Sequence, residues 1–332
     1  MKIALILTVR NEERLLRSNL LYHHAIGVEK VYVYFDNTTD NGRDNIQDLH
    51  FVEMSDSVSA DNLLQYSYLE KFTRQADEHH TARQCLNAFD ASIKAEKDGF
   101  EWLISLDADE LIATGTEKIS NLKDFFSQIS VDFNAVKFPV KEVLQAKKNY
   151  HNVFAEETRF KSQPRFKRYF QNIFKKFYNP FTSRHEKYIY WYGHQMGKMA
   201  IRLNKGLTPF NVHRFIDHEG EKPNTLVKGM LLHYHSYDAK DFIKKYENFD
   251  SHPKTYLSGR KVEKLKMFLI SVVNHCGKDN KELEDYFEKN LMFQEKEIRK
   301  MQRNRVYLIF RREVPVLTEI TSVQNVFQNL IK

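Results

Sequence analysis

The chain has 332 residues, of which 42% are hydrophobic and 29% charged, and it carries a formal net charge of +7. Enough apolar residues are present for a real core, and Gly and Pro are scarce, which excludes a disordered or repeat-built chain. The small basic excess suits phosphate-bearing ligands, anionic membranes and nucleic acid alike and selects none of them.

The opening run from Ile3 to Leu7 is followed by Thr8 and Arg10. It is too short for a signal-peptide core or a membrane span, so it reads as the first buried strand of a cytoplasmic protein. Residues 2–9 are almost continuously apolar, as a central parallel strand covered on both faces would be. A helical pattern follows through Leu15, Leu16, Leu20, Leu21 and His24 and stops at Gly27. Residues 28–35 read as a second strand that ends in the turn-forming Asp36-Asn37-Thr38-Thr39-Asp40-Asn41-Gly42. Together they make one βαβ unit with parallel strands. Residues 52–54 suggest a short third strand, and residues 79–97 a helix with Ala82, Cys85, Leu86, Phe89 and Ile93 on one face. Residues 101–106 form a further apolar strand that runs straight into Asp107-Ala108-Asp109-Glu110. This alternation argues for an α/β fold with a mostly parallel, Rossmann-like central sheet and helices on both faces.

Further on, strands are expected within residues 134–143, around Gly206 and Pro209, and at residues 229–232 ahead of His233-Tyr234-His235. Residues 239–300 read as helices. The expected organisation is a catalytic domain over residues 1–250 and a helical C-terminal extension over 251–332. Cys85 and Cys276 lie far apart and read as buried free thiols.

The acidic run carries the strongest chemical signal. Asp107 and Asp109, at i and i+2 from a strand end, point to one side. They lie at the carboxyl edge of the sheet, where open α/β folds bind ligands. Carboxylates this close repel one another unless a cation sits between them, and hard oxygen ligands suit Mg²⁺ or Mn²⁺. The loop Thr8-Val9-Arg10-Asn11-Glu12-Glu13 belongs to the same edge, although Glu13 serves equally as a helix-start residue. Asp36 ends the second strand, a position from which an acid can hydrogen-bond a ribose or base; Asp40 reads as turn chemistry. Arg83, near a helix start, can meet a pyrophosphate, although an exposed surface Arg fits that position equally. His213, His218, His233 and His235 form a later histidine set. One of the His233/His235 pair is a candidate to complete a mixed carboxylate–imidazole site.

These residues in this order resemble the GT-A glycosyltransferases, more narrowly a bacterial family-2-like group related to glycosyltransferase family 92. The resemblance rests on Val9-Arg10-Asn11-Glu12-Glu13, Tyr22-His23, Gly27-Val28, Tyr34-Phe35-Asp36-Asn37, Asp40 and Arg83. It continues through residues 102–111, Gly197-Lys198, Arg202, His213, His233-Tyr234, Ser236, Asp241-Phe242 and Lys245. It ends near residue 250. It implies a nucleotide-sugar donor, a UDP-sugar before others, with Thr8, Arg10 and Glu12 near the nucleotide, Asp36 at the base or ribose, and Arg83 on the donor. It further implies Asp107 at the ribose or metal, Asp109 on the metal, and His233 as the late third ligand. The family's chemistry is inverting, so a carboxylate should activate the acceptor hydroxyl. The candidates for that base are Asp217, Glu219 and Glu142, with Asp217 preferred. The acceptor would be a glycan or glycolipid, as in bacterial surface polysaccharide or lipooligosaccharide synthesis.

Two rival readings are weaker. A nucleotidyl or phosphoryl transferase would favour a Gly-rich loop after the first strand, and Thr8-Val9-Arg10-Asn11-Glu12 has no glycine. A nucleic-acid-binding protein would use the Arg/Lys and Phe/Tyr interleaving of residues 159–192, but that leaves the acidic strand end unexplained, and no nucleic-acid partner is expected. Residues 296–312 combine Lys and Arg with Ile298, Met301, Val306, Leu308, Ile309 and Phe310. Such a segment suits peripheral attachment to the inner face of the cytoplasmic membrane.

Overall fold

The computed structural model describes residues 1–161, 196–262, 264–275, 280–303, 305–307, 313–315 and 317–330. Cys276, most of the basic–aromatic stretch at 159–192 and part of the 296–312 segment lie outside the described residues. Cys85 is buried and free, as expected.

The described strands are, in chain order, β1 (Ile3–Val9), β2 (Lys30–Phe35), β3 (Val52–Asp56), β4 (Trp102–Leu106), β5 (Glu110–Ala113), β6 (Ala135–Phe138), β7 (Val140–Val143) and β8 (Arg159–Lys161). They continue with β9 (Lys198–Arg202), β10 (Thr208–Asn211), β11 (Arg214–Ile216), β12 (Thr225–Val227), β13 (Met230–His233), β14 (Arg305–Tyr307), β15 (Glu313–Pro315) and β16 (Leu317–Glu319). The helices are α1 (Glu13–Ala25), α2 (Glu70–Thr73), α3 (His80–Lys97), α4 (Leu122–Ser127), α5 (Val153–Glu156), α6 (Ala239–Asp250), α7 (Lys264–His275), α8 (Asn280–Asn290), α9 (Glu295–Arg303) and α10 (Ser322–Leu330).

Seven strands form the main sheet in the order β12-β6-β9-β4-β1-β2-β3. All run parallel except β9, which is antiparallel to β4 and β6. Strand alternation explains why β1 is apolar throughout. Ile3, Leu5, Leu7 and Val9 pack with Leu15, Leu16 and Leu20 of α1 on one face. Ala4 and Ile6 pack with Ala88, Ala91 and Ala95 of α3 on the other. This is the expected α/β class: a mostly parallel central sheet with helices on both faces. α1 stops where Gly27 takes φ +112, a conformation open to glycine. The register aligns β1, β2, β3 and β4 so that Val9, Phe35, Asp56 and Leu106 finish along one edge.

A second sheet, ordered β16-β8-β7-β13-β5, lies beyond that edge. The single strand expected within 134–143 is two, divided at Pro139, with β6 in the first sheet and β7 in the second. The ring removes a backbone donor and so ends one ladder before the next begins. The stretch expected as a helical extension over 251–332 does contain α7, α8 and α9 but is not helical throughout. β16 pairs antiparallel with β8, and Phe327 of α10 stacks on Tyr22 of α1 with ring centroids 5.8 Å apart.

α1 also grips the strand that follows the acidic run. The fully buried Asn19 donates through Nδ2 to the Ala108 carbonyl at 2.9 Å and to the Glu110 carbonyl at 2.8 Å. His23 Nδ1 lies 2.8 Å from Asn19 Oδ1, and the Ile112 N–H donates to His23 Nε2 at 3.3 Å. His23 is therefore neutral. Burial lowers its pKa from 6.5 to about 3, only partly offset by the hydrogen bond to Asn19. A depressed folded-state value contributes stability above the unfolded value that is lost as pH falls through the window from 6.5 toward 3. Urea unfolding at pH 7 and pH 5 should show that loss, and His23→Gln should shrink it. Asn19→Ala should cost about 1–3 kcal/mol at pH 7 by leaving buried carbonyls unpaired.

Candidate active site

The turn between β4 and β5 carries Asp107, Ala108 and Asp109, and Glu110 opens β5. Asp107 is the most open of the three acids, with a side chain 37% exposed. Its Oδ2 is 2.9 Å from Nζ of Lys198, whose side chain is buried. Its Oδ1 accepts from Gln84 Nε2 of α3. Lys198 stands at the start of β9 because Gly197, at φ +71, turns the chain where any Cβ would run into the Phe138 carbonyl. Burial works against ionising Asp107, but Lys198 outweighs it and holds the carboxyl below its ordinary value.

Asp109 points into a second cluster. Its carboxylate pairs with Lys245 of α6, and its Oδ2 is 3.3 Å from His233 Nε2. Burial alone would raise this carboxyl; Lys245 and His233 hold it well below the carboxylate range. His233 is fixed from behind, where Nδ1 lies 3.2 Å from Oε2 of the buried Glu142. Burial disfavours a charged His233, but Glu142 and Asp109 together raise its pKa well above the usual value. His235 lies on the same side, as alternation along a strand end requires, while Tyr234 between them packs edge-on against Phe154 and Phe160 in the core. One ligand atom each from Asp109, His233 and His235 lie within 4.8 Å of one another.

Lys244 meets Glu12 Oε2 at 2.7 Å and Asp241 Oδ1 at 3.0 Å. Burial pushes Glu12 up to about 7 against the pull of Lys244. The buried Glu110 is pushed up to about 8 by burial, which Lys198 only partly offsets. Its Oε2 accepts the Asp107 N–H at 2.8 Å, so it holds the turn. α6 is anchored by Asp238, which accepts the Asp241 N–H at 2.9 Å and pairs with Arg14 of α1 at 2.8 and 3.2 Å.

Asp36 and Arg83, expected as separate ligand contacts, are each other's partners. Arg83 donates from Nε to Asp36 Oδ1 at 2.5 Å and from Nη2 to Oδ2 at 2.9 Å. His80 Nδ1 sits 2.5 Å from Oδ2, and Ser57 donates to Oδ1 at 3.2 Å. Burial alone would raise the Asp36 carboxyl; His80 and Arg83 hold it well below the usual range. The pair walls a cleft of about 720 Å³ with Asn37, Asp56, Val58 and Asp77. Thr8 is buried and accepts from Asn87 Nδ2 at 3.0 Å, and Nε of Arg10 is buried without a hydrogen-bond partner. Glu13 is a helix-start residue, and Asp40 accepts its N–H at 2.8 Å.

The three base candidates separate. Glu142 joins the cluster but sits buried behind His233, out of reach of an acceptor. Among the described residues, no hydrogen bond or ion pair joins Asp217 or Glu219 to the acidic run. The β10–β11 register places the hairpin turn at residues 212–213, where His213 Nδ1 is 3.1 Å from the Gly197 carbonyl. Residues 217–219 therefore follow the open end of the hairpin, opposite its turn. There Asp217 Oδ1 accepts the N–H groups of Glu219 at 3.0 Å and Glu221 at 2.8 Å. Sequence reasoning could not separate this turn-forming Asp from a base, because either begins as an acid near a strand end. The buried Lys198 and the partly buried Lys245 had no assigned role from sequence; their only signal was their place in the family-like pattern.

A family model for glycosyltransferase family 92 matches residues 8–306. The chain belongs to glycosyltransferase family 92. Among curated relatives it is 26% identical over 228 residues to a glycosyltransferase-like protein of Arabidopsis thaliana, covering 65% of this chain and 43% of that protein. A second such protein from the same plant is 24% identical over 227 residues, covering 65% and 49%. This chain thus spans less than half the length of these curated relatives. Among solved structures, S. aureus TarS 1-349 in complex with UDP matches with TM-score 0.29 and 17% identity, covering 49% of this chain and 42% of that one. Glucosyl-3-phosphoglycerate synthase from Mycobacterium tuberculosis, in complex with Mn²⁺, UDP and glucosyl-3-phosphoglycerate, matches with TM-score 0.27 and 12% identity, covering 42% and 44%.

The Asp36–Arg83 pair yields a direct test. Its contribution is present above the ordinary carboxylate value of 3.8 and disappears as pH falls through the lower folded-state value. Asp36→Asn should cost about 1–3 kcal/mol at pH 7, because the partly covered Arg83 guanidinium loses its charged partner. The deficit should narrow at pH 3, as followed by urea unfolding.

Proposed function

We infer that the chain transfers a sugar from a nucleotide-sugar donor, a UDP-sugar first among candidates, to a hydroxyl of a glycan or glycolipid. The reading includes dependence on a divalent cation and inversion at the sugar. The observation that carries it is the convergence of Asp109, His233 and His235 at the carboxyl edge of the sheet, beside the more open Asp107.

The donor set suits Mn²⁺ or Mg²⁺: carboxylate and imidazole together, with His233 turned by a carboxylate behind it, as histidine ligands commonly are. Asp109 and His233 would hold the ion, with Asp107 beside them. A bound divalent cation would supply charge stabilisation for the departing diphosphate. The protein's own residues perform the remaining work. Lys198 keeps Asp107 ionised, Glu142 orients His233, and the Asp36–Arg83 wall offers a cleft large enough for a nucleoside. Thr8, Arg10 and Glu12 lie on the loop after β1 at the same edge. Glu12, which burial pushes up to about 7 beside Lys244, is a further carboxylate at this edge, which keeps the base assignment open beyond Glu142, Asp217 and Glu219.

Association with a membrane face and a role in bacterial surface polysaccharide or lipooligosaccharide synthesis belong to the same proposal, as does the narrower bacterial, family-2-like affiliation. Among the described residues no helix is long and apolar enough to cross a membrane. Retention on anionic liposomes at low salt tests the peripheral alternative.

Release of the donor's nucleotide (UDP, GDP or CMP) should be followed across UDP-, GDP- and CMP-sugars with Mn²⁺ and with chelator. Turnover with one donor and its loss on chelation is the expected result; no binding of any donor sinks the reading. Asp109→Ala should abolish metal-dependent donor binding. Glu142→Gln should weaken Mn²⁺ binding by about 10–100-fold while leaving the fold intact, since it acts through the orientation of His233. Unchanged Mn²⁺ affinity in a folded Glu142→Gln would remove it from that role.

A further inference from the structure

Lys245 contacts two of the three residues whose ligand atoms converge in the cluster. It projects from α6 to pair with Asp109, and its Nζ lies 3.0 Å from Nδ1 of His235. Two of the three ligand-bearing residues of the cluster are therefore in contact with one ammonium group, whose side chain is 12% exposed. The neighbouring Lys244 is engaged separately by Glu12 and Asp241. The helix beneath both lysines is pinned at its N-terminus by Asp238 and Arg14. The backbone of Lys245 is thus held while its four-carbon stem can rotate.

We propose that Lys245 is an internal counter-cation that holds Asp109 and His235 while the site has no metal and competes with a divalent ion for them. The proposal rests on reading Asp109, His233 and His235 as the metal site. An ammonium and a divalent cation cannot share these ligands at close range without strong repulsion. Entry of the ion must therefore move the ammonium. Once displaced, Lys245 needs a new anion, and the diphosphate of a bound nucleotide is one within the chemistry of this site. Metal and nucleotide should then favour each other's binding. The coupling is reciprocal: whatever UDP does for Mn²⁺, Mn²⁺ does for UDP.

The test is calorimetric titration of the full chain with Mn²⁺, alone and with saturating UDP. The wild-type chain should bind Mn²⁺ weakly alone and more tightly with UDP. Lys245→Met should bind Mn²⁺ alone about 5–150-fold more tightly than wild type, the usual range of a coupling between sites. UDP should then add less. Lys245→Arg, which keeps the charge, should behave as wild type, and the circular dichroism of each variant checks folding. If Lys245→Met fails to fold, Lys245→Gln carries the comparison. Equal or weaker Mn²⁺ binding by a folded neutral variant overturns this inference alone. No Mn²⁺ binding by any of the proteins, with UDP present, overturns the metal reading and this inference together.

Discussion

Several carboxylates crowd into a space with little access to water, and the rest of the structure answers that constraint. Asp109, Glu110, Glu142 and Asp241 are all buried, and Asp107 and Glu12 stand beside them. At an effective dielectric near 20, one pair of like charges about 4 Å apart costs about 4 kcal/mol. Cations must therefore come from elsewhere in the chain. Lys198 arrives on the one antiparallel strand of the main sheet, Lys244 and Lys245 on α6, and His233 at the end of β13. The second sheet has a clear purpose in this light. By pairing β13 with both β5 and β7, it sets His233 opposite Glu110 on one side and Glu142 on the other.

The neutralisation is uneven, and that unevenness separates tasks. Asp109 and Asp107 remain ionised because a lysine faces each. Glu110, one position later, is raised to about 8 and fastens the Asp107 backbone rather than serving as a free anion. Neighbouring acids with opposed protonation preferences are what a site handling phosphate charge on one side and local structure on the other would need. Asp36 belongs to a different group. Its oxygens are taken by Arg83, His80 and Ser57, so it shapes the wall of the cleft and aims the guanidinium.

Much of this was legible in the sequence because it is local. Apolar runs of strand length, the Gly27 stop and the turn after Phe35 each depend on residues a few positions apart, and the βαβ reading follows from them. The acidic run was visible for the same reason, as was the shared side of His233 and His235. What stayed hidden depends on distant partners. Lys245 meets Asp109 across 136 positions, and nothing in the periodicity of α6 distinguishes it from a solvated lysine. Glu142 was placed among the bases because a strand-borne acid carries no mark of whether it faces solvent or the back of a histidine. Asp217 was preferred without sight of its own turn, where its carboxylate accepts the N–H groups of Glu219 and Glu221.

The final residues show how far the site's support extends. α1 holds the turn from below through Asn19 and His23, and Tyr22 between them donates to the Ile112 carbonyl at 2.8 Å. The ring of that tyrosine stacks on Phe327, and Gln324 of the same helix donates to the Phe154 and Glu157 carbonyls at 3.1 and 2.9 Å. Phe154 packs in turn against Tyr234, the residue between the two site histidines. A continuous packed path therefore links the last described helix to both halves of the acidic cluster. Close-packed interiors transmit displacement rather than absorb it. Residues beyond 317 therefore belong to the packing that supports Asp109 and His233, together with the strand that carries the acids.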